Sequence, residues 1–331
     1  ISFQGDSTVQ FGVFADPNLN VIGLDSGIVL STGDINEIDP NFTGAINSPF
    51  PNVQDIDLLN IANSVPGLIG LSPGFNVSQV NNLAAISFEF VPESDTVQFR
   101  FVFGSQEYPL YDSLGNPTTN GFINQQFNDV FGFFISGPGI TGSFSSPPKY
   151  PGGSQNVAFI PNTSPQVPIT VSSVHNGGSS INPLNSQYFI PGNLNDVNLR
   201  GFTVPLTAKL ALSACDTFHI RLAIADGQDQ TLNSCVFLEA KSFGSPNVRV
   251  DAKPEFYSLN SDGNLYEDCG DVSLTFRRFN NISSKRRVNF KIGGTAQNGI
   301  DYSFIPDSII FQPGNPTSTL TINIFSDGIL E

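Results

Sequence analysis

Hydrophobic and polar positions alternate along most of this chain with a period of two, the signature of strands that bury one face. In "VQFRFVFGSQEY" (97–108), Val97, Phe99, Phe101 and Phe103 share a face, and a polar exit carrying Glu107 follows. In "FNDVFGFFISGPG" (127–139), Phe131, Phe133 and Ile135 fall on one side and Val130, Gly132 and Phe134 on the other. Both faces of that strand can therefore be buried. It opens on the polar turn Asn128-Asp129 and is cut off by Gly137-Pro138-Gly139, which cannot continue a ladder. "LAAISFEFVPES" places Ile86, Phe88 and Phe90 inward and Ser87 and Glu89 outward. "TFHIRLAIADG" alternates Phe218, Ile220, Leu222 and Ile224 with His219, Arg221 and Ala223, and a loop with Asp226 and Asp229 follows.

Shorter strand pieces are read at "TVQFGVFAD" and "SGIVLSTGD", closed by turns at Asp16 and Asp34. More are read at "NVAFIP", "PITVSSVHNGG", "GFTVPLTAKLALSA" and "SCVFLEAKSF". Segments 112–126 and 177–198 are polar loops. Only "DIDLLNIA" carries a helical stripe, with Ile56, Leu58, Leu59 and Ile61. From Ser245-Pro246 the texture changes: Lys and Arg become more frequent and the strands cleaner. "GDVSLTFRRF", "RRVNFKIGGTA", "DSIIFQPG" and "STLTINIFSDG" come at short spacing, as in an immunoglobulin-like sandwich. The boundary is expected near Gly244 to Val248, giving domains 1–245 and 246–331. No helix is long enough for a crossover, so a parallel α/β architecture is excluded. The expected fold is all-β: a jelly-roll-like β-sandwich followed by a smaller, immunoglobulin-like one.

Composition sharpens this picture. Phe occurs 30 times and Trp and Met not at all, so Phe supplies most of the large core volume. Charged residues are only 13% and the net charge is −15. Phosphate binding needs a basic footprint, so nucleic acid is excluded as a partner, and an anionic membrane surface equally. Direct membrane insertion has no span to support it. Divalent cations are a natural partner. The chain begins at Ile1 and stops at Glu331 in mid-pattern, as a portion of something longer would. Cys215, Cys235 and Cys269 include no Cys-x-x-Cys pair, which argues against zinc and allows one disulfide with an odd thiol.

Three acids sit at strand ends: Glu107, Asp129 and Asp226, with Asp229 nearby. If those ends meet, the carboxylates form a calcium site, since calcium takes roughly six to eight oxygens. Otherwise each caps a turn. Paired acids also occur in glycoside hydrolysis. A sugar cleft wants aromatic platforms, however, and with no Trp none is evident. No Ser/His/Asp or Cys/His set and no phosphate loop is present; the two histidines, His175 and His219, are far apart in sequence. No catalytic residue is assigned.

Two resemblances organise these pieces. "GLDSGIVLSTGD" (23–34), "FRFVFGSQEYP" (99–109), "FNDVFGFFISGPG" (127–139), "FHIRLAIADGQDQ" (218–230) and "SCVFLEAKSF" (234–243) come in the order of the choice-of-anchor L family. The first domain resembles that family of bacterial surface proteins, which includes members of gliding and type IX secretion lineages and has no established enzymatic role. The second resembles a Calx-beta domain through "YEDCGDVSLTFRR" (266–278), "GGTAQNGIDYSFIPDSIIFQPG" (293–314) and "STLTINIFSDGILE" (318–331), incomplete at its C-terminus. That likeness implies calcium ligands at Glu267, Asp301, Asp327 and Glu331, with Asp268 beside them. Together the resemblances imply a non-catalytic adhesin or interaction module, secreted to a bacterial cell surface. It would be the head of a longer repeat-containing protein or filament. Its partners would be surface glycans, other surface proteins and further Calx-beta-like repeats of the parent chain. The alternative is a carbohydrate-binding or glycan-hydrolysing domain using Glu107, Asp129 and Asp226.

Overall fold

The computed structural model describes residues 1–16, 21–43, 50, 53–92, 96–213, 215–240, 242, 248–254, 271–278 and 282–325, with 248–254 and 271 described by backbone alone. The chain divides into two compact units, Ile1–Ser245 and Pro246–Glu331.

In the first unit the strands are β1 (Ser2–Gln4), β2 (Phe11–Ala15), β3 (Ser26–Ser31), β4 (Val80–Phe90), β5 (Thr96–Ser105), β6 (Val130–Ser136) and β7 (Gln155–Asn156). They continue as β8 (Phe189–Pro191), β9 (Gly201–Thr203), β10 (Leu206–Ala211), β11 (Phe218–Gly227) and β12 (Ser234–Glu239). One sheet runs β1-β4-β11-β6-β7 and the other β2-β3-β12-β5-β9-β8, with β10 also pairing β5. Every pairing is antiparallel. The fold of this unit is an all-β sandwich.

The alternation read from the sequence fixes which side of each strand meets the other sheet. Val97, Phe99, Phe101 and Phe103 of β5 share one core with Phe131, Phe133 and Ile135 of β6 and Phe218, Ile220, Leu222 and Ile224 of β11. Rings interlock across the sandwich: Phe99 meets Phe133 edge-on at 4.9 Å, and Phe101 lies 5.3 Å from Phe131. The opposite face of the first sheet is covered as well. Val130 and Phe134 of β6 and Ala223 and Ala225 of β11 pack with Leu58, Ile61 and Ala62. These last belong to helix α1 (Ile56–Leu68), whose first turn is capped by Asp55 accepting from the Leu58 amide at 2.9 Å. The outer face of the second sheet carries a third cluster, in which Val102, Cys235 and Phe237 meet Ile22, Leu24, Val197 and Leu199 from loops.

Two expectations need correction. "NVAFIP" and "PITVSSVHNGG" form no continuous strands: only Gln155–Asn156 pairs with β6, and the rest makes isolated bridges such as Phe159–Pro168. Prolines 161, 165 and 168 remove ladder donors there, and the Ser173 hydroxyl takes the Thr170 amide at 2.9 Å in a local turn. Conversely, the loop 177–198 contains β8.

In the second unit, β13 (Val248–Pro254), β14 (Asp271–Arg278) and β17 (Thr317–Asn323) form one sheet, while β15 (Arg286–Asn289) and β16 (Ser308–Phe311) form another. Phe276 of β14 and Phe311 of β16 are buried, and Phe276 lies 5.3 Å from the Phe290 ring. Arg278 is 1% exposed, yet its guanidinium donates to the carbonyls of Asn315, Ser284, Ile282 and Gln312 at 2.6–3.0 Å. The cation is thus held by four main-chain oxygens and rests 5.3 Å over the Phe311 ring.

Candidate functional site

Antiparallel pairing brings the ends that carry the acids to one end of the sandwich. Ala225 of β11 lies opposite Val130 of β6, so Asp226 and Asp129 emerge side by side. Ser105 at the end of β5 lies opposite Ser234 at the start of β12, placing Glu107 and Ser234 at the same end. A register shift between Ile224 and Asp226 against β4 turns the latter carboxylate toward Asn82, whose φ is +53°.

The bonds at this end run from sheet to sheet. Asp129 accepts from the Gly227 amide at 2.9 Å and from the Ser234 hydroxyl at 2.6 Å. Gly227 is required there, because a Cβ would lie 2.7 Å from the Asn128 amide nitrogen. Asp226 Oδ2 accepts from Asn82 Nδ2 at 2.8 Å. The Asn82 carbonyl in turn takes Gln10 Nε2 at 3.0 Å, and Gln10 also donates to the carbonyls of Ser31 and Thr32. Glu107 is placed by its amide on Ser105 Oγ, but its Oε2 has no partner, and neither has Asp226 Oδ1.

Burial governs the protonation of this knot. Glu107, Asp129 and Asp226 are 2%, 1% and 1% exposed. Burial, then the neighbouring Asp129, Asp229 and Asp226, pushes Glu107 up to about 11, with Arg200 opposing. Burial raises Asp129 to about 7 against the pull of its Ser234 and Gly227 bonds. Asp226 is raised well above the usual carboxylate range, by burial first and then by Asp129. Near neutrality Glu107 and Asp226 therefore stay protonated and Asp129 alone is partly ionised, because burial and like charges this close resist joint ionisation. Asp229 is only half-buried, raised by burial, and accepts from the Thr231 amide at 3.2 Å.

What this arrangement can do follows from access and unfilled valence. A substrate cannot reach groups at most 2% exposed. As a calcium cage the knot falls short: both Asp129 oxygens and one of Asp226 already take donors, against the roughly six to eight oxygens calcium needs. Among the described residues no three His, Cys, Asp or Glu side chains are arranged to hold a metal ion. The histidines lie apart. His175 is fully buried and neutral, pushed down to about 4, with Nδ1 accepting from the Gly177 amide. His219 stacks on Tyr150. Cys215 and Cys235 are both free thiols.

Of the acids named for the second unit, Glu267, Asp268, Asp327 and Glu331 lie outside the described residues, as does Cys269. Asp301 closes its own turn, accepting from the Gln297 amide. Sequence reasoning missed Asn82, Gln10 and Ser234. Their signal was faint: a polar pair, Asn81-Asn82, ahead of an apolar run, and a lone polar position among strand residues.

Comparison with known proteins adds partial likenesses and one extensive match. A 67-residue stretch is 37% identical to sodium/calcium exchanger 1 of Rattus norvegicus and 36% to that of Canis lupus familiaris, 20% of this chain in each case. The chain spans only 7% of the length of those exchangers. A GH2 beta-galacturonidase from Eisenbergiella tayi, solved bound to glycerol, aligns at 9% identity over 74% of this chain and 29% of its own, with a TM-score of 0.20. Among the described residues no helix is long and apolar enough to cross a membrane. The model of the choice-of-anchor L domain matches residues 1–244, nearly the whole first unit, so this chain belongs to the choice-of-anchor L family, a domain of extracellular or cell-surface proteins.

Proposed function

We propose that this chain is a non-catalytic adhesive module, the head of an exported bacterial surface protein that carries further Calx-beta-like repeats. The observation that carries the reading is the burial of Glu107, Asp129 and Asp226 in a hydrogen-bonded knot between the sheets. Acids placed so serve the fold and cannot meet a glycosidic bond, which weakens the hydrolase alternative. The net charge of −15 keeps such heads apart from one another and from anionic surfaces. Partners are then glycans or proteins of the surface, held by loops at the sandwich ends and rims. The test is an assay of the purified chain for retention on immobilised polysaccharides and for turnover of polysaccharide and ester substrates. Retention without turnover is expected. Turnover abolished by Glu107→Gln or Asp129→Asn would refute the reading and promote the hydrolase.

Calcium belongs to the same proposal, in the second unit. The Calx-beta resemblance proposes ligands at Glu267, Asp301, Asp327 and Glu331, and the short likeness to sodium/calcium exchanger 1 agrees with a calcium-handling domain. Calcium there would relieve repulsion among these acids and stiffen the joint to a following repeat.

A further inference from the structure

At the same end of the first unit, loops 110–115 and 191–200 enclose a cavity of about 580 Å³. That volume suits a ligand of one to a few sugar rings, within the range typical of small-molecule sites. Polar groups dominate part of the wall: Tyr111, Asp112, Ser113, Asn193 and Asn195, with Arg200 as its one cation.

Arg200 is the notable member. Its backbone is fixed from both sides, the amide donating to Ser105 O at 3.1 Å and the carbonyl accepting from the Gly192 amide at 2.9 Å. Its guanidinium, half-buried, makes no ion pair and no hydrogen bond to any described residue. The three other surface cations in ion pairs of this unit, Arg100, Lys149 and Arg221, all hold carboxylates. The titratable group that acts on Arg200 is Glu107, whose carboxyl burial holds in its neutral form, so that it does not neutralise the guanidinium. A planar fork of donors, partly desolvated and unanswered, is the group that pairs with a carboxylate in two parallel bonds. The Tyr111 hydroxyl, also in the wall, is buried without a well-formed partner; its nearest donor is the Asn176 amide.

Asp112 works against an anion in general and selects among anions. Its carboxylate is occupied by its own loop, taking the amides of Leu114 and Asn116 at 2.9 and 2.8 Å. Its second oxygen takes the Asn116 side-chain amide at 3.2 Å, and it makes no ion pair with Arg200. One cation, one carboxylate and several amides and hydroxyls match a ring bearing one carboxylate and several hydroxyls. The geometry points to a binding subsite for an acidic sugar, a hexuronate residue of a surface glycan. Arg200 takes its carboxylate, and the Ser113 hydroxyl and the Asn195 side-chain carbonyl are placed to take its hydroxyls. The inference rests on the binding-module reading and names its ligand class.

Calorimetric titration of the full chain with a glucuronate-containing tetrasaccharide, and with the same sugar whose carboxylates are reduced to alcohols, tests it. The acidic sugar should bind about tenfold tighter or more, with affinity falling as salt rises. Arg200→Gln should erase that preference, bringing the affinity for the acidic sugar down to that for the reduced one. Arg200→Lys, which keeps charge but not the fork, should fall between. Asp112→Asn should strengthen binding of the acidic sugar, a gain that a misfolded variant could not produce. Equal binding of both sugars, binding indifferent to Arg200→Gln, or no binding overturns the subsite. So does tighter binding of a carboxylate-rich peptide. Retention on another polysaccharide with an inert cavity would leave the adhesive reading standing and this subsite refuted.

Discussion

Glu107 and Asp129 keep protons in the folded chain at pH values where ordinary carboxylates, near 4.5 for Glu and 3.8 for Asp, have released them. The folded state therefore binds more protons than the unfolded one over that interval. The stability linked to these protons is complete below about 4 and falls as pH rises, through about 7 for Asp129 and on toward 11 for Glu107. Glu107→Gln mimics the protonated form without needing the proton. At pH 8 it should raise the melting temperature by at least about 2 °C; the upper bound, about 1.4 kcal/mol per pH unit above 4.5, is about 5 kcal/mol. The decline between pH 5 and 8 should flatten as well. An unchanged slope in thermal melts would show that Glu107 is not the linked group. Arg278 makes the opposite case, a buried charge that is fully satisfied. Arg278→Met should destabilise the second unit by about 3–5 kcal/mol, because the carbonyls it serves lose their donors. Denaturant unfolding followed by a signal from that unit measures this, and a loss below about 1 kcal/mol would contradict it.

Helix α1 is the single long helix among the described elements, and its role is to roof the outer face of the β4-β11-β6 sheet. Leu58 is wholly buried beneath it, while Gly132 of β6 leaves the space it occupies: a Cβ there would stand 3.0 Å from Leu58 Cδ2 and 2.5 Å from the Phe134 ring. Gly132→Val should therefore lift the helix and cost about 1–3 kcal/mol by overpacking. Leu58→Ala, by leaving a void, should cost about 2–5 kcal/mol. Hydrogen exchange would then show faster opening of the α1 amides in the Gly132 variant; unaltered protection would mean the strand and helix do not press on each other. Both elements were legible in the sequence. The helix announced itself through Leu58 and Ile61, although Ile56, read in the same stripe, is exposed, and β6 announced itself through apolar residues on both faces. Segment 155–178 was misread because its apolar residues sit in bridges and turns, where side-chain hydroxyls and prolines replace the ladder. The cavity beside Arg200 left no trace in the sequence at all. It is made by two loops some 80 residues apart, and nothing in either spacing or periodicity couples them.

At the scale of the whole chain, the acids of strand ends could be named from sequence because strands must deliver their last residues somewhere. Whether they would be solvated, bind an ion or be sealed depended on packing that only the folded sandwich reveals. For the second unit the proposed calcium remains the measurable matter. Calcium that binds the folded state alone adds about 2.7 kcal/mol at a hundred times its dissociation constant. The melting temperature should accordingly rise in millimolar calcium relative to chelator, and Asp301→Asn with Asp327→Asn should shrink the rise. A transition that ignores calcium would remove the ion from this account.

The distribution of strand lengths in the first unit has a further consequence. The long strands, β4, β5 and β11, with 11, 10 and 10 residues, run inside their sheets, whereas β1, β7 and β8 at the rims have 3, 2 and 3. An unpaired rim that short offers a neighbouring molecule too few amides to zip onto. Among the described strands, β2 and β10, with 5 and 6 residues and one neighbour each, present the longer edges. Copies of this unit brought side by side are therefore offered little at most rims on which to template one another into fibres, and any such pairing would have to begin at β2 or β10.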